Sequence, residues 1–404
     1  MASKALIGDC DNLNDLPILE MSAIHGDDRN FVNHRYRFAY LTKTSFSLSE
    51  IKQNFTISTI NYPHPYSQAA TLDKRIQIPR PCYDAALAPM LDYASLPEEF
   101  RLDLMRGVAA GEQECPHGSH TFNAESVLRD QPHLTHAEHV IAGPDNNDVI
   151  LSVFTPKETS KSPRPALFTA LTQVIDLLAG IDCVVVSVEH RLAPETRAPG
   201  PAEDCYAVLV WVFENAASLG IDPAAIAVFG VSGGGALAAA TCLMARDRKS
   251  PAVPIKAQML YSPLLDDRCE SLADQQFEYG NPAPTPWLRA TWDHILGDER
   301  GSENVTPYQA PARETDLSNL PPAYIDAGEC EVFRDIAVTY ATNMWRCGST
   351  CELHIWPGAF HGFDMMDDPQ IPLINIANKA KANWFKRVLT TETKPMPATI
   401  AQAC

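Results

Sequence analysis

The sequence predicts an α/β protein with a mostly parallel sheet that helices cover on both faces. Two observations lead to this prediction. From Pro165 onward, short apolar runs alternate with longer segments of helical character, which is the pattern of repeated strand–helix units. The apolar runs, among them CVVVSVEH and AIAVFG, are nearly continuous, as in strands that are buried on both faces of a parallel sheet.

The elements before Pro165 are of three kinds. Residues 1–75 show no sustained period, and we interpret them as an N-terminal extension of uncertain structure. A helical period then runs through Leu87 and Leu91, and Pro97 followed by two glutamates predicts the start of a second helix. Two alternating runs, AEHVIAG and NDVILSVFTP, are separated by the turn residues PDNND and predict a β-hairpin.

After Pro165, strand and helix patterns follow each other to the end of the α/β region. The predicted strands are, in order, PALF, CVVVSVEH, AIAVFG, IKAQMLYSP, PAYIDAG and CELHIWPG. The predicted helices are TALTQVIDLLAG, PAEDCYAVLVWVFENAASLG, GGGALAAATCLMARDR, EVFRDIAVTYATNMWRCG and IPLINIANKAKANWFKRVL.

Composition narrows the class of protein. The chain has 404 residues, of which 45% are hydrophobic and 20% charged, as in ordinary globular proteins. A net charge of −18 argues against nucleic acid or an anionic membrane surface as a partner. No apolar run has the length of about 20 residues that a membrane span needs. The 11 cysteines form no CxxC pair, which is typical of reduced thiols, so we expect a cytoplasmic protein.

The stretch GVSGG places Ser232 between a predicted strand and a predicted helix. This fits the G-x-S-x-G elbow of nucleophilic serines, in which a sharp turn exposes the hydroxyl. The amide of Gly233 would then point from the helix N-terminus to the place where an oxyanion forms. Two alternatives stay open at this point, a glycine-rich turn that only packs tightly and a loop that holds a phosphate.

A nucleophilic serine needs a base and an acid that orients the base. His361 follows a predicted strand in WPGAFHGFD, while Glu329, Glu331 and Asp335 follow another strand in AGECEVFRD. The carboxyl ends of parallel strands meet at one edge of the sheet, so these side chains are expected near Ser232. The pattern alone leaves the acid open among the three carboxylates, and His361 could instead cap a turn.

Several motifs in order give the chain, over residues 78–390, a resemblance to the hormone-sensitive-lipase-like branch of the α/β-hydrolases, in the form found in fungal and bacterial esterases. The motifs are VEHRLAPE, GVSGGG, YSPLLD, LPPAYIDAGECEVFRDIAVTYA and LHIWPGAFHGFD. The resemblance implies Ser232 as nucleophile, His361 as base and Glu331 as acid, with Gly233 as an oxyanion donor. Glutamate replaces the aspartate that is usual in the family, Glu329 is the reserve candidate, and Asp335 is expected to be structural.

The resemblance also implies the architecture, an α/β-hydrolase core over 131–395 and a helical cap. The cap would consist of helices in 76–130 and of an insertion at 267–305. The family's oxyanion motif, HGG or HGGG, is expected after the strand PALF, yet no histidine or glycine lies between Pro165 and Ala179. A skipped exon, a diverged protein and replacement donors from another loop are three explanations that the sequence leaves open.

We therefore predict a serine esterase that hydrolyses a short-chain carboxylic ester of a small molecule, with no cofactor and no metal. The cysteines and histidines between Cys115 and His139 match no spacing of known metal ligands. By analogy with the family, the substrate would be an ester or lactone of secondary metabolism. The alternative is an impaired or non-hydrolytic hydrolase-fold protein that binds a small molecule. Sequence does not indicate the oligomeric state.

Overall fold

The computed structural model describes residues 78–92, 99–110, 123–169, 181–280, 282–365, 368 and 370–390. The predictions for residues 1–75, for the helix at 170–180 and for the missing oxyanion motif fall outside these ranges. Within them, eight strands form one sheet: β1 Leu134–Ala142, β2 Asp148–Pro156, β3 Arg164–Thr169, β4 Val184–Glu189, β5 Ile221–Val231, β6 Ala257–Tyr261, β7 Ala323–Gly328 and β8 Cys351–Trp356.

Helices cover the sheet and connect its strands. Those described are α1 Leu102–Ala110, α2 Ala124–Asp130, α3 Gly200–Glu214, α4 Gly233–Arg248, α5 Leu272–Gln276, α6 Thr285–Leu296, α7 Arg334–Arg346 and α8 Pro372–Thr390, with 3-10 turns at Ala88–Asp92, Gly297–Glu299, Pro311–Arg313 and Phe363–Met365. The helical period around Leu87 thus forms a 3-10 turn, and the helix that follows it in the described residues begins at Leu102, later than predicted from Pro97.

The strands lie in the order β1-β2-β4-β3-β5-β6-β7-β8. The hairpin prediction is confirmed, since β1 and β2 pair antiparallel, and β2 also pairs antiparallel with β4. All the other neighbours are parallel, as the near-continuous apolar strands indicated. The predicted class, an α/β fold with a mostly parallel sheet and helices on both faces, is therefore confirmed.

Alternate residues of the central strands pack into two hydrophobic layers. In β3, Ala166 and Phe168 face the layer under α3, α4 and α7, whereas Leu167 faces the layer under α8. The side chains of a strand point alternately to its two faces, so every second residue serves each layer. Both layers are apolar, which explains why these strands read as continuous apolar runs.

The two segments predicted as cap lie in contact with each other. The carbonyl of Pro79 accepts a hydrogen bond from Gln276 Nε2, and the guanidinium of Arg80 donates to the Tyr279 carbonyl at 2.6 Å. Leu87 is fully buried among the residues that precede and follow His361. The segment that begins at residue 78 therefore packs both on the insertion and on the histidine loop.

A buried ion pair joins the end of β4 to α3. Asp204 is fully buried, and its two oxygens accept from the Arg191 guanidinium at 2.8 and 2.9 Å and from the Arg191 amide at 3.0 Å. Glu195 pairs with Arg106 of α1, at 2.7 Å for Nη1, while the remaining guanidinium donor of Arg191, Nη1, pairs with Asp145 at 2.8 Å.

Asp204→Ala should lower the free energy of unfolding by about 3 kcal/mol, because it leaves the Arg191 charge beside an empty buried site. The measurement is urea unfolding followed by circular dichroism. Glu195→Gln is the control, since its pair with Arg106 leaves the two side chains 63% and 36% exposed, and solvent screens such pairs. Equal unfolding midpoints for the two variants would contradict a structural role for the buried pair.

Candidate active site

Ser232 occupies a strained turn between β5 and α4. Its φ and ψ are 53° and −119°, and a positive φ is costly for a residue with a side chain. Three backbone hydrogen bonds hold it there: its amide donates to the Tyr261 carbonyl at 2.9 Å, and its carbonyl accepts from Leu264 at 2.9 Å and Gly235 at 3.0 Å. The surrounding chain thus fixes a conformation that Ser232 would not adopt by itself.

Glycines around Ser232 are required to different degrees. A Cβ at Gly230 would lie 2.0 Å from the carbonyl oxygen of Gly234, and a Cβ at Gly235 would lie 2.8 Å from the Cβ of Pro263. A Cβ at Gly233 would meet no atom within 4 Å. Close packing therefore requires glycine at positions 230 and 235, whereas the space around Gly233 would admit a side chain.

The amide of Gly233 is the first of α4. The N-terminal amides of a helix have no partner within the helix, and the helix dipole makes this end favourable for negative charge. Gly233 directly follows Ser232, so its N–H is a candidate donor to an oxyanion formed at that serine. The other part of such a site would follow β3, whose Thr169 pairs with Phe229, three residues before Ser232. Residues 170–180 lie outside the described part of the chain.

His361 and Glu331 are brought together from two loops at the same edge of the sheet. Nδ1 of His361 lies 2.7 Å from Oε2 of Glu331, which is fully buried, while the His361 side chain is 20% exposed. Glu331 follows β7 and His361 follows β8, and these strands are parallel neighbours. The ring of His361 also packs on Phe333, with 4.7 Å between ring centroids.

The second oxygen of Glu331 has partners of its own. Oε1 accepts a hydrogen bond from the hydroxyl of Ser262 at 2.7 Å and another from the backbone amide of Gly328. Two donors to the same carboxylate oxygen restrict the rotation of the carboxylate. Ser262 was not among the residues predicted for the site, although it stands in the YSPLLD motif near the end of a predicted strand.

The two other acidic candidates accept hydrogen bonds from backbone amides. Glu329 accepts from the amide of Gly358 at 3.0 Å, and so holds the turn that follows β8. Asp335 accepts from the amide of Ala273 at 2.7 Å and from Arg334 at 2.7 Å, at the start of α7. Of the three carboxylates in AGECEVFRD, the structure places Glu331 against His361.

A buried charge cluster lies behind the site. Lys381 of α8 is 1% exposed, with its ammonium 3.3 Å from Oδ2 of Asp326, in contact with the carboxylate of Asp364 and 4.1 Å from the centre of the Tyr261 ring. Burial lowers the pKa of Lys381 and raises the pKa of Asp326. Asp364 is three residues after His361, so the cluster ties the histidine loop to α8 and β7.

Lys381 could have been found from the sequence. It lies on the apolar stripe of its helix, together with Ile374, Ala377, Trp384 and Phe385, all of which are buried. A charged residue on an apolar helical face indicates either that the buried face of the helix has been assigned wrongly or that the residue forms a buried ion pair. Here the pair exists, because two aspartates from other elements reach the ammonium.

Cys330, beside Glu331, is unsuited to act as a nucleophile. It is fully buried, and burial raises the pKa of its thiol to about 12. Within the described ranges, no group of three or more His, Cys, Asp or Glu side chains is arranged to hold a metal ion. The helices of the same ranges include none that is long and apolar enough to span a membrane. Cys115, His117 and His120 fall outside these ranges.

Comparisons with known proteins agree with this arrangement. The sequence profile of a family described as having the alpha/beta hydrolase fold matches residues 166–365. The carboxylesterase NlhH of Mycobacterium tuberculosis is 36% identical over 191 residues, which are 46% of this chain and 57% of that protein. An arylesterase of Saccharolobus solfataricus is 37% identical over 169 residues, or 41% of this chain and 53% of that protein. The chain thus spans just over half the length of these curated relatives.

Similarity to a solved structure extends further. A bacterial heroin esterase superposes with a TM-score of 0.66 at 30% sequence identity, covering 76% of this chain and 98% of that one. The elbow, strands β4 to β8 and the histidine loop described above all lie within the family match at residues 166–365. The family match, the superposition and the site geometry therefore all point to the same family of proteins.

Gly230→Ala should lower the free energy of unfolding by about 3 kcal/mol, because the added methyl group would clash with the backbone of α4. Urea unfolding measures the change. Gly233→Ala is the matched control and should leave stability unchanged, since a Cβ there meets no atom within 4 Å. Equal losses at both positions would contradict the packing described for the elbow.

Lys381→Met should lower the free energy of unfolding by about 3–5 kcal/mol, because the buried carboxylate of Asp326 and the partly exposed carboxylate of Asp364 would lose the cation that compensates them. Lys379→Met, on the exposed face of the same helix, is the control and should be close to wild type. Thermal unfolding of both variants at one pH is sufficient for the comparison. If Lys381→Met were as stable as Lys379→Met, the cluster would not stabilise the fold.

Proposed function

This chain belongs to the α/β-hydrolase family, in its hormone-sensitive-lipase-like branch, and we propose on that premise that it is a carboxylic ester hydrolase with a triad of Ser232, His361 and Glu331. The observation that carries the proposal is the 2.7 Å contact between Glu331 and His361 at the edge of the sheet where Ser232 ends its strand. The esterases similar to this chain support the same reaction class.

In this mechanism the Ser232 hydroxyl attacks the carbonyl carbon of an ester. Nε2 of His361 accepts the hydroxyl proton and returns it to the departing alcohol, and a water molecule then releases the acyl group by the same route. Glu331 holds Nδ1 of His361 and stabilises the imidazolium that forms. The Gly233 amide donates to the oxyanion of each tetrahedral intermediate.

The substrate class that we propose is a short acyl ester of a small molecule. The relatives' names support esters in general, and the serine site requires nothing more of the substrate than a reactive acyl carbonyl. An ester or lactone of secondary metabolism and a cytoplasmic location stay predictions. The alternative, binding without hydrolysis, requires that Ser232 forms no acyl-enzyme.

Hydrolysis of 4-nitrophenyl acetate and butyrate tests the proposal. We expect turnover by the purified chain, and a fall in kcat of at least about a thousandfold in Ser232→Ala, because a triad without its nucleophile retains only binding and oxyanion stabilisation. Ser218→Ala is the matched control. Ser218 is exposed on the turn before β5, at the opposite end of that strand from Ser232, and should leave kcat unchanged.

A fluorophosphonate probe supplies a second measurement that does not depend on the choice of ester. The peptide containing Ser232 should gain the phosphonyl mass in the wild type and in Ser218→Ala, and not in Ser232→Ala. Equal background hydrolysis in all three folded proteins, together with no labelled peptide, would contradict the esterase proposal and favour binding without hydrolysis.

A further inference from the structure

Ser262 follows β6 directly and adopts a left-handed backbone conformation, with φ at 40°. A positive φ is unfavourable for serine, and such residues persist only where the surrounding structure holds them. Two features hold Ser262: its amide donates to the carbonyl of Asp326 at 2.8 Å, and its hydroxyl donates to Oε1 of Glu331 at 2.7 Å. The strained backbone thus aims the hydroxyl at a fully buried carboxylate.

The end of β6 contacts both halves of the proposed triad. Tyr261 accepts the hydrogen bond of the Ser232 amide, and the next residue, Ser262, donates to Glu331. Two consecutive residues therefore set the position of the nucleophile's backbone and of the acid's side chain. A shift of this strand end would move both groups together.

Glutamate in the acid position has one rotatable bond more than aspartate. Each additional rotatable bond in the side chain has to be held in one conformation if the carboxylate is to contact Nδ1 of His361 in a single geometry. In this chain the oxygen that does not face the histidine is fixed by two donors, the Ser262 hydroxyl and the Gly328 amide. The amide belongs to the backbone of β7, so Ser262 is the side chain that can differ between proteins.

We infer that Ser262 is a positioning residue for the ester hydrolysis, which fixes the longer carboxylate of Glu331 against His361. The inference rests on the proposed triad. Ser262 does not touch the reacting atoms; it acts through Glu331, whose other oxygen contacts the base. Its chemistry is that of a donor to a charged acceptor, which is among the stronger hydrogen bonds in proteins.

Steady-state kinetics of Ser262→Ala and Ser262→Gly, with 4-nitrophenyl acetate, test the inference. Both variants should lower kcat about tenfold, the effect of one hydrogen bond to a charged group, and change KM less than about twofold. Glycine suits the positive φ better than serine does. A Ser262→Gly protein with wild-type kcat would therefore overturn the inference, since the hydroxyl would then be dispensable.

Ser349→Ala is the matched control for loss of a buried hydroxyl. Ser349 is 7% exposed and its hydroxyl donates to the Leu317 carbonyl at 2.6 Å, away from the triad. Its kcat should equal that of the wild type. A loss of kcat in Ser349→Ala as large as in Ser262→Ala would assign the effect to general packing and would overturn the inference.

A double-mutant cycle links Ser262 to the length of the acid. An aspartate at position 331 that reaches Nδ1 cannot also reach the Ser262 hydroxyl, so Ser262→Ala should cost less than about twofold in kcat when combined with Glu331→Asp. A cost of about tenfold in both backgrounds would overturn the link to the glutamate.

Proton NMR supplies a readout that needs no turnover. The Nδ1 proton of His361, identified by its absence in His361→Gln, should resonate far downfield in the wild type and should shift or broaden in Ser262→Ala. If no hydrolysis depends on Ser232, the proposed function fails while this measurement still decides whether Ser262 positions Glu331. An unchanged resonance in Ser262→Ala would overturn the inference.

Discussion

The backbone of Ser232 is the constraint on which the site depends. A strand that enters a helix without a loop can expose a side chain only through a turn that L-residues rarely adopt, and here three backbone hydrogen bonds hold that turn. Packing around the turn offsets the unfavourable free energy of this conformation, and glycine stands at 230 and 235, where no Cβ fits. The position of Ser232 is thus set by backbone contacts to the sheet and α4.

The acid and the histidine are held differently, by side chains and buried charge. Glu331 uses both carboxylate oxygens, one for His361 and one for Ser262 and Gly328. Behind it, Lys381 compensates Asp326, which is buried, and Asp364, which is partly exposed. Removing water from such groups strengthens every interaction that remains, which gives the histidine loop one well-defined position.

Much of this arrangement could be predicted from the sequence, because strand patterns and the elbow are local. The hairpin, the parallel strands and the juxtaposition of Glu331 with His361 follow from periodicity, motif and strand order. The acid had to be chosen by resemblance, since three carboxylates of one loop look alike until their backbone partners are known. Ser262 was missed because its partner Glu331 lies far away in the chain. The position of Lys381 on an apolar helical stripe indicates a buried ion pair, but the sequence does not identify its partners Asp326 and Asp364.

The place of Lys381 in the chain has a consequence for biosynthesis. Ser232 is synthesised well before α8, and at about 5–20 residues per second the ribosome needs roughly seven to thirty seconds to reach Lys381 from there. For most of that interval the nascent chain contains Ser232 but not the ammonium that Asp326 and Asp364 contact in the folded protein. The contact between α8 and the histidine loop can therefore form only after every residue of the proposed triad has been synthesised.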